Sequence, residues 1–196
     1  TRWLPPGGAG LGQYNRSDTL RGVQKTPAGI LTGLVGVIAL EARFTSTDLD
    51  NLNEAQVNAI KVVPGRGFCI YGGRTLSKDY PDRYGSVRRT LMQLEHDMKA
   101  ITDFAVFEPN GPELWGQISA NLQNYLTTQM QVGVIQGNTA EEAFFVICDE
   151  SNNPPSQAQA GIVIIEVGVA VASPAEFITI RVSQISGSTN GTPGNI

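Results

Sequence analysis

The stretch at residues 104–115, FAVFEPNGPELW, constrains this chain more than any other. Phe104, Ala105, Val106 and Phe107, with Glu108 behind them, read as a short buried strand. Pro109 ends it, because proline cannot donate to a ladder. Asn110 then reads as a helix N-cap, with Pro112 inside the first turn and Glu113 three residues after the cap, an asparagine version of the capping box. A strand that turns this sharply into a long helix fixes the direction of both. The residues before it must deliver a partner strand, and the residues after it must cover the sheet.

Spacing predicts a helix on each side. Over residues 86–102, with Ser86 as cap, Val87, Leu91, Leu94, Met98 and Ile101 recur at intervals of four and three, one apolar stripe. Residues 111–131 carry the stripe Leu114, Ile118, Leu122, Tyr125, Leu126 and Met130. The opposite face of that helix is Gln117, Asn121, Asn124, Gln129 and Gln131, with Glu113 its only charge. A solvated helix of this length normally carries several charges. A neutral contact surface is one reading, a merely polar exposed helix the other.

The remaining segments are read from turn chemistry and alternation. Residues 1–25, with LPPGG and GLG, read as an extended, irregular arm. Gly33, Gly36 and the β-branched residues favour a strand over residues 35–44. Thr45, Ser46 and Thr47 offer caps for a helix over residues 47–60, with Asp48 and Asp50 in its first turn and Leu49, Leu52, Ala55 and Ala59 or Ile60 on one side. Pro64-Gly65-Arg66-Gly67 is a turn, residues 68–71 a strand stopped by Gly72-Gly73, and residues 77–84 a polar loop. Further strands are expected over residues 143–148, 162–172 and 177–185. The expected fold is α+β: a mixed β-sheet with two long helices packed on it and extended terminal arms. It places one domain over residues 26–185, between an N-terminal arm (1–25) and a flexible Gly/Ser/Thr/Asn tail (186–196).

Composition narrows the functional classes. Of 196 residues only 16% are charged, against about 25% in a typical soluble domain, as suits a surface largely covered by partners. Residues 61–89 hold Lys61, Arg66, Arg74, Lys78, Arg83, Arg88 and Arg89 against Asp79 and Asp82, while residues 90–196 hold eleven carboxylates against Lys99 and Arg181. A basic and an acidic face suit head-to-tail self-association. A net charge of −4 without interleaved aromatic and basic residues argues against nucleic acid. Cys69 and Cys148 sit in apolar runs and read as small buried hydrophobes. No apolar run is long enough to span a membrane, and the absent initiator Met reads as a fragment or a processed product.

The catalytic search returns little. The single histidine, His96, lies on the polar side of helix 86–102. No Ser or Cys has another histidine to activate it. The glycines at 64–67 precede a strand, and those at 72–73 are followed by a loop, so neither opens a helix as a phosphate cradle must. Glu141-Glu142 and Asp149-Glu150 read as solvated strand ends. No cofactor or metal is expected, and no enzyme.

Several stretches, taken in order, carry a resemblance. They are Pro64-Gly65-Arg66-Gly67; Tyr71-Gly72-Gly73-Arg74-Thr75-Leu76; Val87-Arg88-Arg89; Phe107-Glu108-Pro109-Asn110 with Leu114-Trp115; Ala143-Phe144-Phe145 with Cys148-Asp149; and Pro174-Ala175-Glu176-Phe177. Upstream, Arg21-Gly22-Val23, Lys25-Thr26-Pro27-Ala28-Gly29, Leu52-Asn53 and Asn58 add to them. Together, over about residues 16–184, they resemble the C-terminal region of the contractile tail sheath proteins of bacteriophages and related injection machines. Tyr71 stands where that family often has Trp, and Gly73 where it often has Ala. The outward-facing domains that usually precede this region are absent, so the chain looks like the inner part of a longer protein.

The resemblance implies a structural subunit of a helical tube of stacked rings around an inner tail tube, extended on assembly and contracting to drive that tube through a cell envelope. It implies a virion tail or equivalent injection particle, assembled in a host cytoplasm, with neighbouring sheath subunits and the tube protein as partners and no membrane insertion. A small-ligand or glycan-binding α+β domain is the alternative. Under the sheath reading, Arg88, Arg89 and Lys99 are candidates for the tube contact. Arg66, Arg74 and Arg83 are candidates for pairing with Glu141, Glu142, Asp149 or Glu150 of a neighbour, although Arg74 could equally anchor Glu108 within one chain. Phe177, Ile178, Thr179, Ile180, Arg181 and Val182 are candidates for addition to a neighbour's sheet, the alternative being an ordinary strand beside residues 162–172.

Overall fold

Two antiparallel helices carry the core of this computed structural model, which describes residues 2–31, 33–79 and 82–174. Helix α3 (Gly85–Thr102) and helix α4 (Pro112–Gln131) sit either side of a short link; the others are α1 (Gly7–Arg21), α2 (Ser46–Glu54), α5 (Ala140–Ala143) and α6 (Pro155–Gln159). Strands β1 (Ala59–Val63) and β2 (Gly67–Tyr71) form one antiparallel pair, and β3 (Phe144–Ile147) and β4 (Glu166–Val169) another.

The stripes read from the sequence become the contact between α3 and α4. Leu94 packs with Leu126, while Met98 and Ile101 lie against the cluster of Leu114, Trp115, Ile118 and Leu122. One polar bond fixes the register: the Tyr125 hydroxyl donates to the Asp97 carboxylate at 2.6 Å. Burial, and then that carboxylate, push the Tyr125 pKa well above its ordinary value. The β3–β4 pair covers the helices, with Val146 and Val167 touching both clusters. Phe144 stands opposite Val169 and Phe145 opposite Gly168, where the Phe145 ring occupies the space a side chain would need. Cys69 and Cys148 are buried, as their apolar surroundings predict.

The α+β class stands, but the sheet is two separate antiparallel pairs among the described residues rather than one mixed sheet. Three local expectations are also corrected. Residues 104–108 are not a strand: Asp103–Ala105 form a 3-10 turn, and Phe107 comes after it at φ 71°. Only nine residues join two helices packed side by side, and among the described residues they pair with no strand. Asn110 is not the cap of α4, which begins after Gly111. Its amide accepts from Trp115 Nε1 at 2.8 Å and donates to the carbonyls of Ala158 and Ile162, tying the start of α4 to the α6 segment. Ser86 lies inside α3, after the N-cap Tyr84, and accepts from the Thr26 hydroxyl at 3.1 Å.

The N-terminal third departs furthest. Residues 7–21 are helical, not extended, although four of their first six residues are glycines. Docking overrides propensity here: α1 buries Gln13 and Ser17 and is tied to α3 by charge. Residues 35–44 form no strand; Leu34 N–H reaches the Phe68 carbonyl at 2.7 Å, and the chain then runs irregularly with Val35 and Ile38 exposed. Helix α2 is shorter than expected. Its capping box is there, Thr45 Oγ1 accepting from Asp48 N–H and Asp48 Oδ2 from Thr45 N–H. It stops at Glu54 because Gln56 turns to φ 62° and the β-branched run at 60–63 pairs with β2 instead. The expected strand at 177–185 and tail at 186–196 lie outside the described residues.

Candidate functional site

The candidate side chains fall into three settings. On α3, Arg88 and Lys99 stand in solvent with side chains 54% and 73% exposed. Arg88 approaches Asp82 at 3.9 Å. Lys99 pairs with Glu95 one turn away at 2.8 Å, which holds that carboxyl below its usual range. Exposed pairs of this kind hold together only weakly, about 0–1 kcal/mol, so both cations can exchange partners. His96 is exposed on the same helix.

Arg89 is differently placed. Its guanidinium clasps the Asp18 carboxylate of α1 with both nitrogens and lies over the Tyr14 ring, 5.0 Å from its centre. Bidentate geometry and partial burial make this a firm ion pair. Arg89 therefore serves inside the chain, joining α1 to α3. Tyr14 and Asp18, at positions i and i+4 of one helix, were legible as a pair only once residues 7–21 are seen as a helix.

The remaining basic residues are spread over the β1–β2 side. Arg66 is exposed on the hairpin turn. Arg74 donates to the Asn53 carbonyl at 2.9 Å, and its backbone is gripped on both sides by the Asn58 amide. Arg83 reaches the Lys78 carbonyl at 3.4 Å. Glu108 is exposed beyond Phe107. The acidic candidates lie elsewhere. Glu141 and Glu142 occupy the first turn of α5, where Thr139 caps the helix and Glu142 accepts from Asn138 N–H at 3.0 Å. Asp149 and Glu150 come directly after β3. The Ser151 hydroxyl and then its N–H hold the Asp149 carboxyl below its usual range. Each acidic pair is solvent-facing.

The third setting is apolar surface, which sequence reasoning missed. Trp3, Leu4, Leu11, Leu20, Val35 and Ile38 are all exposed. So are Phe104, Val106 and Phe107 at the link between α3 and α4. The polar face of α4 is as expected: Gln117, Asn121, Asn124 and Gln131 are exposed, and Gln129 lines a cavity of about 190 Å³ with Val23, Gln24, Thr90, Gln93, Leu94 and Val134. Among the described residues no group of three or more His, Cys, Asp or Glu side chains is placed to hold a metal ion, and no helix is long and apolar enough to cross a membrane.

Comparison with known proteins places this surface in context. Tail sheath proteins of Vibrio phage KVP40 and Enterobacteria phage T4 are 28% and 25% identical to the chain over 185 residues, 92% of its length. The chain spans only about a quarter of those relatives, 26% and 27%. Among solved structures, the fold is similar to a chain of the anti-feeding prophage baseplate (TM-score 0.87, 36% identity, 93% of this chain and 51% of that one). It is also similar to a chain of the sheath complex of an extracellular contractile injection system in the contracted state (TM-score 0.86, 33% identity, 92% and 51%). The sequence profile described as the phage tail sheath C-terminal domain matches residues 77–185, which take in α3, α4 and both strands of the β3–β4 pair. The chain belongs to the phage tail sheath C-terminal domain family.

Proposed function

We propose that this chain is the inner part of a contractile sheath subunit, which polymerises as stacked helical rings around an inner tail tube and contracts to drive the tube through an envelope. The carrying observation is the likeness of fold over nine-tenths of the chain to a chain of an injection system's sheath complex in its contracted state. The exposed apolar side chains of the described residues, Trp3, Leu11, Val35 and Phe107 among them, agree with it. The role is mechanical, not catalytic, and its place is the tail of a virion or an equivalent particle, built in the host cytoplasm.

Three contacts carry the assembly. Arg88 and Lys99 face the inner tube; each weak pair is repeated around every ring, so the sum grips while each contact stays releasable. Arg66 and Arg83 meet the acidic ends Glu141, Glu142, Asp149 and Glu150 of a neighbour, with Arg74 as a further candidate. Residues 177–182 add to a neighbour's sheet, for which the β3–β4 pair is the receptor: two short strands are marginal alone and gain stability from a third. Electron microscopy of the assembled protein tests the reading. Tubes or rings are expected, and a strict monomer at all concentrations contradicts it. Arg88→Glu combined with Lys99→Glu should abolish assembly on tubes while leaving monomer melting unchanged; unaltered assembly on tubes would remove both residues from the contact.

A further inference from the structure

We infer that Phe107 of one copy seats in the cavity between α3 and α4 of the next, making a head-to-tail contact; the inference rests on the assembly reading above and gives it a residue-level joint. Phe107 is fully exposed, and its φ of 71° lies where bulky residues are rarely found. Backbone held in such a region costs about 1–3 kcal/mol and persists where surrounding structure uses it. Two local bonds keep it there, Val106 N–H to the Asp103 carbonyl and Glu108 N–H to the Ala105 carbonyl. Pro109 stiffens the exit. Phe104 and Val106 are exposed beside it. The loop is thus a rigid apolar knob with nothing in its own chain to cover it among the described residues.

The cavity is its counterpart. Leu94, Val134 and Val23 give it an apolar lining, and its volume of about 190 Å³ exceeds the ~150 Å³ at which an engineered apolar cavity accepts benzene. The Thr90 hydroxyl, buried against it, has no hydrogen-bond partner, an arrangement that costs free energy until an acceptor arrives. An incoming loop brings backbone carbonyls with its ring. Gln24, Gln93 and Gln129 complete the lining, and such uncharged side chains suit the uncharged backbone of the knob.

Position decides the occupant. The cavity lies beside Thr90 and Leu94, in the first half of α3, and beside Gln129, near the end of α4. The knob lies past the end of α3 at Thr102, roughly 18 Å further along the helix axis at 1.5 Å per residue. Knob and hole sit towards opposite ends of one rigid helix pair, so they cannot meet within a chain. A contact between two different patches of identical copies propagates, closing into rings or opening into helices, which a sheath requires.

Cysteine trapping tests it. Chains carrying Phe107→Cys are mixed with chains carrying Gln93→Cys, assembled, and oxidised; the native Cys69 and Cys148 are buried. A disulfide-linked dimer that appears only in the mixture is expected, and none when Gln117→Cys, on the polar face of α4, replaces Gln93→Cys. Assembly without the 107–93 link, or equal linkage to position 117, overturns the inference and leaves the assembly reading standing. Linked dimers without tubes or rings support the joint and count against the sheath reading. Neither assembly nor linkage overturns both. Phe107→Asp supplies a second arm: assembly should be lost with monomer melting unchanged, and retained assembly overturns the joint.

Discussion

The helix pair with its β3–β4 cover and the N-terminal residues 2–58 are built on opposite terms. In the first, Val87, Leu94, Leu114, Ile118, Leu122 and Leu126 are buried and interlocked. In the second, Pro27 apart, no hydrophobic side chain before Ala59 is buried among the described residues, and the other buried groups are polar: Gln13, Ser17 and Thr26. One region is stable by its own apolar contacts. The other is attached by a clasp at Arg89–Asp18 and a bond from Thr26 to Ser86, and leaves its apolar residues outward. The difference teaches that apolar burial is concentrated in the helix pair and its cover, while the N-terminal region is held chiefly by polar contacts.

The largest effect should come from the core. Leu122→Ala, at a fully buried site facing α3, is expected to destabilise by about 2–5 kcal/mol in urea melts. An equal loss from Leu20→Ala, an exposed site on α1, would break the contrast between the regions. Next comes the seam between them. A Cβ built on Gly73 would stand 2.1 Å from the Thr26 methyl, so Gly73→Ala should cost about 1–3 kcal/mol through overpacking, with Thr26→Ser restoring most of it. A neutral Gly73→Ala would mean that Thr26 is not held.

How far the sequence carried the reading divides along the same line. The stripes of α3 and α4, the hairpin turn at 64–67 and the runs of β2 and β3 were legible because burial imposes periodicity. Helix α1 was not, because Leu11, Tyr14 and Leu20 make no stripe; it is a helix by docking. Phe104–Phe107 looked like a strand because apolar residues usually mean burial. Here Phe104, Val106 and Phe107 are exposed instead, and no pattern within one chain separates the two. Arg89 looked like its neighbours Arg88 and Lys99 until Asp18 was brought beside it. The six motifs of the family resemblance supplied what local physics did not.

Smaller effects refine the contrast. Asp18→Ala should release α1, cutting stability by no more than about 1 kcal/mol, since both partners are partly exposed. Limited proteolysis should then cleave near Gly22 while the melting temperature of the core stays within a few degrees. Cleavage unchanged from the parent chain would show that the clasp does not hold the helix. Least of all is the acid response of α2. Hydrogen bonds from the Thr45 backbone, then its hydroxyl, lower the Asp48 pKa from its ordinary value. A lowered folded pKa stabilises above the unfolded value, near 4, and that contribution is lost as pH falls through the folded value. Amide exchange in Ser46–Glu54 should therefore rise as pH falls below about 4, beyond the intrinsic trend. A flat profile there would remove the capping box from the account.

The central claim is that assembly completes the N-terminal region and leaves the helix pair as it was. Hydrogen exchange read out by mass spectrometry, on the monomer and on assembled particles of the same chain, addresses it directly. The account predicts strong protection of α3 and α4 in both samples. It predicts protection of residues 2–58 and of the loop around Phe107 that appears only on assembly. Protection of those segments already complete in the monomer, or unchanged in the particle, would contradict it.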